Sequence, residues 1–260
     1  MASPVIRVLL ACIAAAGLAA CGKTPQSAAM AAPFDLSGVW MNDNTLDERM
    51  KREGRTRQTA EELRGPTTAT APAAPPLTPE YRAIYERMRA DAARLAEGTQ
   101  TCEWPGMPTI MTYPYPFEIL ATPGRITMLF EVESQVRRIF LERQAHLPPD
   151  ELDPSYNGDS IGRWEGNTLV IDTIGFNTRR PVRGLPHSEQ MHMVERITPV
   201  DADTIRNEIT ITDAAAFTEP VVLNVQYSRR PDWRIREYSC AENNRDAPDA
   251  SGQRSGGVVQ

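Results

Sequence analysis

The side chains best suited to catalysis or specific binding concentrate between residues 159 and 195 of this 260-residue chain. Two of the three histidines, His187 and His192, lie there beside carboxylates and an arginine. Histidine titrates near neutral pH and transfers protons well when a carboxylate orients it. If the protein is an enzyme, we therefore expect an acid–base site. Its predicted catalytic residues are His187, Asp172, Glu195 and Arg163.

The same stretch also permits a metal site, because His187, His192 and Glu195 follow a His-x4-His-x2-Glu spacing. Zinc-binding helices carry their two histidines four residues apart, so that both reach one ion. Here the spacing is five, and strand residues at an odd spacing face opposite sides of a sheet. We therefore predict no metal. The absence of glycine-rich phosphate loops and CxxC pairs predicts no other cofactor.

Other interpretations of these residues stay open. Each histidine has the alternative of a structural, hydrogen-bonded role, and no Gly-x-Ser-x-Gly sequence marks Ser188 as a nucleophile. Asp172 lies in the apolar run Leu-Val-Ile-Asp-Thr-Ile, so it either faces inward with a raised pKa or faces water. Four side chains near strand ends are predicted to contact a ligand: His192, Trp164, Tyr156 and Glu131.

A sheet is needed to position these side chains, and the sequence predicts one. Residues 160–164 and 168–174 are typical of a hairpin with a turn at residues 165–167. Alternating apolar residues predict the remaining main strands at 117–122, 125–133, 136–142, 190–198, 204–212, 220–229 and 234–240. Residues 78–97 predict a helix with Thr78 as N-cap and Pro79 at the first position.

Nine or ten short strands joined mostly by tight turns predict a mainly β fold. We expect an antiparallel up-and-down meander that forms a lipocalin-like β-barrel, closed or incomplete, with one N-terminal helix. Closure would remove exposed strand edges. Gly38-Val39-Trp40 resembles the motif that opens the first strand of lipocalin-like barrels, which implies that Trp40 plugs the closed end. The alternative is a strongly curved open sheet wrapped over the helix.

The N-terminus predicts export and a lipid anchor. Arg7 precedes an apolar run, residues 8–20, which is too short to span a bilayer but fits a secretory signal. The sequence Leu-Ala-Ala-Cys-Gly at 18–22 resembles a bacterial lipobox. This resemblance implies cleavage after residue 20, lipid attachment to Cys21 and sorting to the outer membrane, facing the periplasm; an ordinary cleaved signal peptide is the alternative. The predicted segments are then a signal peptide (1–20), a flexible tether (21–33), one barrel domain (34–245) and a disordered tail (246–260).

Charge and cysteine content narrow the choice of partners. The chain carries 28 basic and 34 acidic side chains, a net charge of −6, which argues against nucleic acid as a partner. With Cys12 in the signal peptide and Cys21 lipidated, two cysteines remain in an oxidising compartment. We predict a disulfide between Cys102 and Cys240. A redox or metal-binding pair is the weaker alternative, since neither belongs to a CxxC sequence.

Several stretches resemble a family of secreted bacterial proteins that has no assigned activity. They are Tyr-Pro-Phe-Glu-Ile (115–119), Gly-Arg-Trp-Glu-Gly-Asn-Thr-Leu-Val-Ile-Asp-Thr (162–173), Pro-His-Ser (186–188) and Glu-Asn-Asn-Arg-Asp (242–246). The resemblance implies no chemistry. Two function classes therefore remain. The first is an envelope lipoprotein that binds a small apolar or amphipathic molecule in its barrel. The alternative is a cofactor-free hydrolase, dehydratase or isomerase that uses a histidine–carboxylate pair.

Overall fold

The computed structural model describes residues 34–42, 75–95 and 104–240, which form a closed, mainly β barrel of nine strands with one α-helix. The strands lie in chain order around the barrel, and the last pairs with the first. The helix α1 comprises Pro79–Leu95, and a 3-10 helix comprises Thr109–Thr112. The strands are β1 (Gly38–Asn42), β2 (Phe117–Thr122), β3 (Arg125–Phe130), β4 (Val136–Phe140), β5 (Asp159–Glu165), β6 (Thr168–Ile174), β7 (His192–Pro199), β8 (Thr204–Thr212) and β9 (Val221–Arg229).

The predicted barrel is confirmed, and it is closed rather than an open curved sheet. One strand pair departs from the antiparallel meander: β4 and β5 run parallel, with Ile139 opposite Ser160 and Phe140 opposite Ile161. Nine is an odd number, so strand directions cannot alternate all the way round a closed ring, and one adjacent pair must be parallel. The connection at residues 141–158 therefore has to return the chain from one end of the barrel to the other.

Alternation along the strands separates a buried interior from an outer face. In β6, Leu169, Ile171 and Thr173 are buried, whereas Asp172 between them is only partly covered. The other strands repeat this pattern, so that the interior is mostly aliphatic and aromatic. Its buried apolar side chains include Trp40, Ile119, Met128, Ile139, Leu169, Ile171, Met193, Ile197, Ile209, Ile211 and Val225.

Trp40 lies towards the end of the barrel that carries the turns 123–124, 166–167 and 200–203. Its indole N–H donates to the Leu36 carbonyl at 2.8 Å, and the Arg229 guanidinium lies 4.4 Å from the ring centroid. Gly38 has φ +121°, and a Cβ there would meet the Arg229 guanidinium at 3.1 Å. The Gly-x-Trp sequence thus leaves room for an arginine to cover the buried tryptophan.

The opposite end, which we call the helix end, carries the connections 175–191 and 213–220. The hydroxyl of Thr78 donates to the Ala215 carbonyl at 2.9 Å and ties the start of α1 to this end. Tyr81 and Tyr85 of α1 pack against the core. Among the described parts of the chain, no helix is long and apolar enough to cross a membrane.

One predicted strand is wrong. Residues 234–240 do not form a hairpin with β9; Tyr238 forms only an isolated bridge to Val132. The edge of β9 that this strand was predicted to occupy is instead paired with β1, and this pairing closes the barrel. Several predictions lie outside the described residues and stay predictions: the signal peptide, Cys21, the tether, Cys102 and hence its disulfide with Cys240, and the tail from residue 246.

Candidate functional site

A group of polar side chains lies inside the barrel, and its centre is an ion pair between β4 and β7. Arg137 and Glu195 are 1% and 0% exposed, and Arg137 Nη2 donates to Glu195 Oε2 at 2.5 Å. Strand alternation places Arg137 on the same inward face as Ile139, and Glu195 on the same face as Met193. The charges are therefore paired in a low-dielectric, water-poor environment, where an unpaired charge would be costly.

Neighbouring strands supply further contacts to this pair. Arg137 Nη2 also lies 3.0 Å from Thr173 Oγ1, and Arg137 Nε donates to Ser160 Oγ at 3.2 Å. The second oxygen of Glu195 accepts from Asn207 Nδ2 at 2.9 Å. Together with the buried side chain of Gln135, these side chains form what we call the inner cluster. Its members are Gln135, Arg137, Ser160, Thr173, Glu195 and Asn207.

Several polar atoms of the inner cluster lack a hydrogen-bond partner among the described residues. They are Arg137 Nη1, Asn207 Oδ1 and both polar atoms of the Gln135 side chain. All three residues are at most 1% exposed. A buried polar group without a partner costs free energy, so such groups in folded proteins normally bind water or a ligand. Two donors and two acceptors are thus available inside the barrel.

The turn between β3 and β4 directs Gln135 inward. Glu133 and Ser134 have φ of 55° and 47°, a region that residues other than glycine seldom occupy. The turn is held by Gln135 itself, whose carbonyl accepts from the Phe130 N–H at 2.9 Å. Gln135 is two residues before Arg137, so both side chains point to the same face of β4. The inner cluster therefore begins at the helix end of the barrel.

Tyr227 borders the inner cluster from β9. Burial raises the pKa of Tyr227 well above its usual value of 10.0, and the negative charge of Glu195 adds to the rise. The neutral hydroxyl donates to the Met111 carbonyl at 2.9 Å. Tyr227 thus anchors the 3-10 helix segment to the interior as a neutral hydrogen-bond donor.

A second group of ionisable side chains lies on the outer face of the same strands. His146, from the connection 141–158, has Nδ1 2.9 Å from Asp159 Oδ2 and Nε2 2.8 Å from Asp172 Oδ1. His192 Nε2 lies 2.8 Å from the same Asp172 oxygen. Arg143 pairs with Asp159. We call these five residues the outer cluster, and they fasten the connection 141–158 to β5, β6 and β7.

Both aspartates of the outer cluster are held in the ionised form. Burial acts to raise the pKa of Asp172, but hydrogen bonds from His146 and His192 outweigh it and lower the pKa below its usual 3.8. Burial likewise opposes ionisation of Asp159, and hydrogen bonds from Arg143 and His146 again lower its pKa. Of the two orientations that the sequence left open for Asp172, the outward one is therefore correct.

The structure does not bring the four predicted catalytic residues together. Glu195 faces the interior, whereas Asp172 faces outward. His187 lies in the connection 175–191, with its ring nitrogens 3.0 Å from the carbonyls of Ser188 and Arg180. Arg163 is 61% exposed on the outer face and pairs with Glu165. Of the predicted acid–base partners, Asp172 does contact histidines, but these are His146 and His192 and not His187.

The predicted ligand contacts also have different surroundings. Trp164 is half-buried and packs against the core from β5. Tyr156 stands near Trp104, with ring centroids 6.0 Å apart, and its carbonyl accepts from Met107 N–H at 2.9 Å. Glu131 Oε2 accepts from the Arg236 N–H at 2.8 Å. His192 belongs to the outer cluster. None of these four side chains hydrogen-bonds to the inner cluster.

Sequence reasoning missed Arg137, His146 and Asn207. The sequence does contain a signal for Arg137: in Val-Arg-Arg-Ile-Phe, Arg137 shares a strand face with the apolar Ile139, which indicates that it points inward. Asn207 likewise alternates with Ile205 and Ile209. His146 lies in an irregular connection, and no local pattern links it to strands that begin more than ten residues later. Over the described residues, no group of three or more His, Cys, Asp or Glu side chains is arranged to hold a metal ion.

The chain matches no protein-family model, and no curated protein matches it significantly. Among solved structures it is similar to a secretory abundant heat soluble (SAHS) protein from Ramazzottius varieornatus, with a TM-score of 0.34, 8% identity and coverage of 75% of this chain and 95% of that one. It is also similar to a luciferase domain from the dinoflagellate Lingulodinium polyedrum, with a TM-score of 0.31, 13% identity and coverage of 86% of this chain and 52% of that one. The chain thus spans about half of that luciferase domain.

Proposed function

We propose that this protein is an envelope lipoprotein that binds a small amphipathic molecule inside its barrel. The observation that carries the proposal is the set of buried polar atoms without partners at Arg137, Asn207 and Gln135. Their surroundings are otherwise aliphatic and aromatic. A ligand with a polar head and an apolar tail would satisfy the polar atoms and contact the apolar side chains at the same time.

Native mass spectrometry of the protein purified from the envelope tests this proposal. We expect a co-purified amphiphile of defined mass at one molecule per chain, released on denaturation. Gln135→Met keeps a similar side-chain volume but removes a buried donor and acceptor, so this variant should retain much less of the molecule. Gln190→Met, at an exposed site, is the matched control and should retain it. A wild-type protein that carries nothing and binds no amphiphile added in solution would overturn the proposal.

The proposed location depends on the lipobox-like sequence at Cys21. Labelling of growing cells with radioactive palmitate should mark the protein, and Cys21→Ser should abolish the label. Loss of Cys21 should also leave the signal segment attached, which adds the mass of the first 20 residues. An unmarked wild-type protein would leave the ordinary cleaved signal peptide as the explanation.

A cofactor-free acid–base enzyme is the second candidate, and one observation favours it. Asp172 orients His192 through Nε2 at 2.8 Å, while the His192 side chain is 39% exposed and can meet a substrate from solution. A carboxylate that orients an accessible imidazole is a general-base arrangement. Turnover of a metabolite panel by wild type, lost in His192→Ala but kept in His187→Ala, would support this candidate. Equal loss in both variants would contradict it.

A further inference from the structure

Building on the proposed ligand-binding function, we propose that the head group held by the inner cluster is uncharged and both donates and accepts hydrogen bonds, as a primary amide does. This inference goes beyond the presence of a ligand, because it states that the inner cluster distinguishes amphiphiles by the charge of their head group. Two independent features of the interior lead to it: its charge balance, and the kinds of polar atoms left open.

The charges inside the barrel already cancel. Arg137 and Glu195 neutralise one another at 1% and 0% exposure. The other buried carboxylate among the described residues, Asp213, lies in the connection that follows β8. It accepts from the Ser188 N–H and hydroxyl and from the N–H of Ala215. An anionic or cationic head group would therefore bring an uncompensated charge into the interior, which is strongly unfavourable.

The open atoms are of both kinds. Arg137 Nη1 is a donor and Asn207 Oδ1 an acceptor, and Gln135 offers one of each. A carboxylate head only accepts, and an ammonium head only donates, so each would leave about half of these atoms without a partner. A primary amide has two N–H donors and one carbonyl, which match both kinds.

The two open atoms nearest the ion pair flank the same carboxylate. Arg137 and Asn207 bind opposite oxygens of Glu195, and each turns one unused polar atom away from it. On either side of Glu195 in the sheet stand Ile171 and Ile209, so the carboxylate has apolar lateral neighbours. The two open atoms therefore belong to residues that share one carboxylate, and this carboxylate lies between aliphatic side chains.

A matched series of amphiphiles tests the inference. Dodecanamide, dodecanoate, dodecylamine and N,N-dimethyldodecanamide have the same tail and differ only in the head. Each is titrated into purified full-length protein, stripped of bound molecules, by displacement of the neutral probe N-phenyl-1-naphthylamine near neutral pH. We expect dodecanamide to bind at least tenfold more tightly than the acid, the amine and the dimethylamide, which lacks the N–H donors.

Two variants make the test specific to the ion pair. Glu195→Gln leaves the Arg137 charge without its carboxylate, so the preference should switch towards dodecanoate by tenfold or more. Arg137→Gln combined with Glu195→Gln removes both charges, so the shift towards dodecanoate expected in Glu195→Gln should be absent. Circular dichroism verifies the fold of each, and the double variant, which leaves no unpaired charge, keeps the test open if the single variant fails to fold.

The outcomes separate the two proposals. If none of the four amphiphiles displaces the probe, and none binds at another site, the ligand-binding function itself is overturned. The open atoms would then bind water. If wild type prefers the acid or the amine, binding stands and the inference of a neutral head is overturned. A preference for the amide that does not respond to Glu195→Gln also overturns the inference, because head selection would then not depend on the ion pair.

Discussion

The inner and outer clusters share strands β5, β6 and β7, yet their carboxylates differ in exposure and in the partners that they bind. Asp159 and Ser160, Asp172 and Thr173, and Val194 and Glu195 are neighbours in sequence that point to opposite faces of β5, β6 and β7. The inner carboxylate is 0% exposed with one guanidinium, whereas the outer Asp172 is 28% exposed with two imidazoles. Solvent screens the outer interactions and not the inner one, so a single position along a strand decides how strongly a charge matters.

The difference between the faces also separates stability from accessibility. The outer cluster is partly exposed to water, and His146 holds the connection 141–158 against β5 and β6. The inner cluster is buried and includes polar atoms without partners among the described residues, which a fold optimised only for stability would avoid. This comparison favours binding inside the barrel, and it makes predictions of different size for the two faces.

The largest effect is expected from Arg137→Met. This change leaves Glu195 buried without its cation, so we expect a loss of about 3–5 kcal/mol in the free energy of unfolding. Urea denaturation followed by circular dichroism measures it. Arg137→Met combined with Glu195→Leu removes both charges and should recover most of the loss. A double variant as unstable as the single one would show that the loss comes from packing and not from the unpaired charge.

On the outer face, Asp172→Asn should cost less. The change removes a carboxylate that two imidazoles contact, but water reaches this site, so we expect a loss of about 1–2 kcal/mol. The same urea measurement applies, with Asp150→Asn at an exposed position as the matched control. A loss as large as that of Arg137→Met would contradict the distinction between the faces.

Gln135→Met should change stability in the opposite direction. It replaces two buried polar atoms without partners by apolar ones of similar size, so the free energy of unfolding should rise by about 1 kcal/mol. Thermal unfolding of the ligand-free protein measures the gain, with Gln190→Met as control. A destabilised Gln135→Met would mean that the side chain is structurally satisfied, which removes a main support for the binding proposal.

The outer cluster also predicts a pH dependence. The pKa values of Asp159 and Asp172 are lowered below 3.8 in the folded protein, so their stabilising contribution is present above that value. It is lost as pH falls through the lower folded pKa values, and stability should therefore decline in acid from about pH 5 downwards. Urea midpoints measured across this range should fall less steeply in the Asp159→Asn, Asp172→Asn double variant. An unchanged slope would contradict the ionised state of the pair.

Arg163→Ala should have the smallest effect. Arg163 is 61% exposed and pairs with Glu165 in water, where such ion pairs contribute little. We expect an unchanged urea midpoint and unchanged binding of the amphiphiles. A marked loss of turnover or binding in this variant would restore Arg163 as a functional residue.

Most of the fold followed from local patterns. The hairpin of β5 and β6 was predicted within one residue at each end, because alternating apolar residues and a Gly-Asn turn specify it locally. The prediction of a strand at 234–240 was wrong because a local pattern does not show which distant strand pairs with a given edge. The edge of β9 is already paired with β1. The parallel pair also escaped prediction, since it depends on the odd number of strands in the closed ring.

The candidate site was less predictable than the fold. Glu195 and Asp172 were assigned to one predicted site, although they lie on opposite faces of the sheet. His187 has the right chemistry for an acid–base role, but two main-chain carbonyls occupy its ring. The partners that define each cluster, Arg137 and His146, come from β4 and from the irregular connection after it.

Residue order alone determined most strands, most turns and the helix, because backbone geometry and alternation are local properties. It did not determine which face of a strand points inward where polar and apolar residues mix, as at Asp172. Tertiary structure alone decided which charges meet. Closure of the ring brings β4 within reach of β7 across the interior, and it joins Arg137 to Glu195 over a separation of 58 residues. Contacts across a closed interior depend on both the number of strands and their register. Neither can be read from a single stretch of sequence.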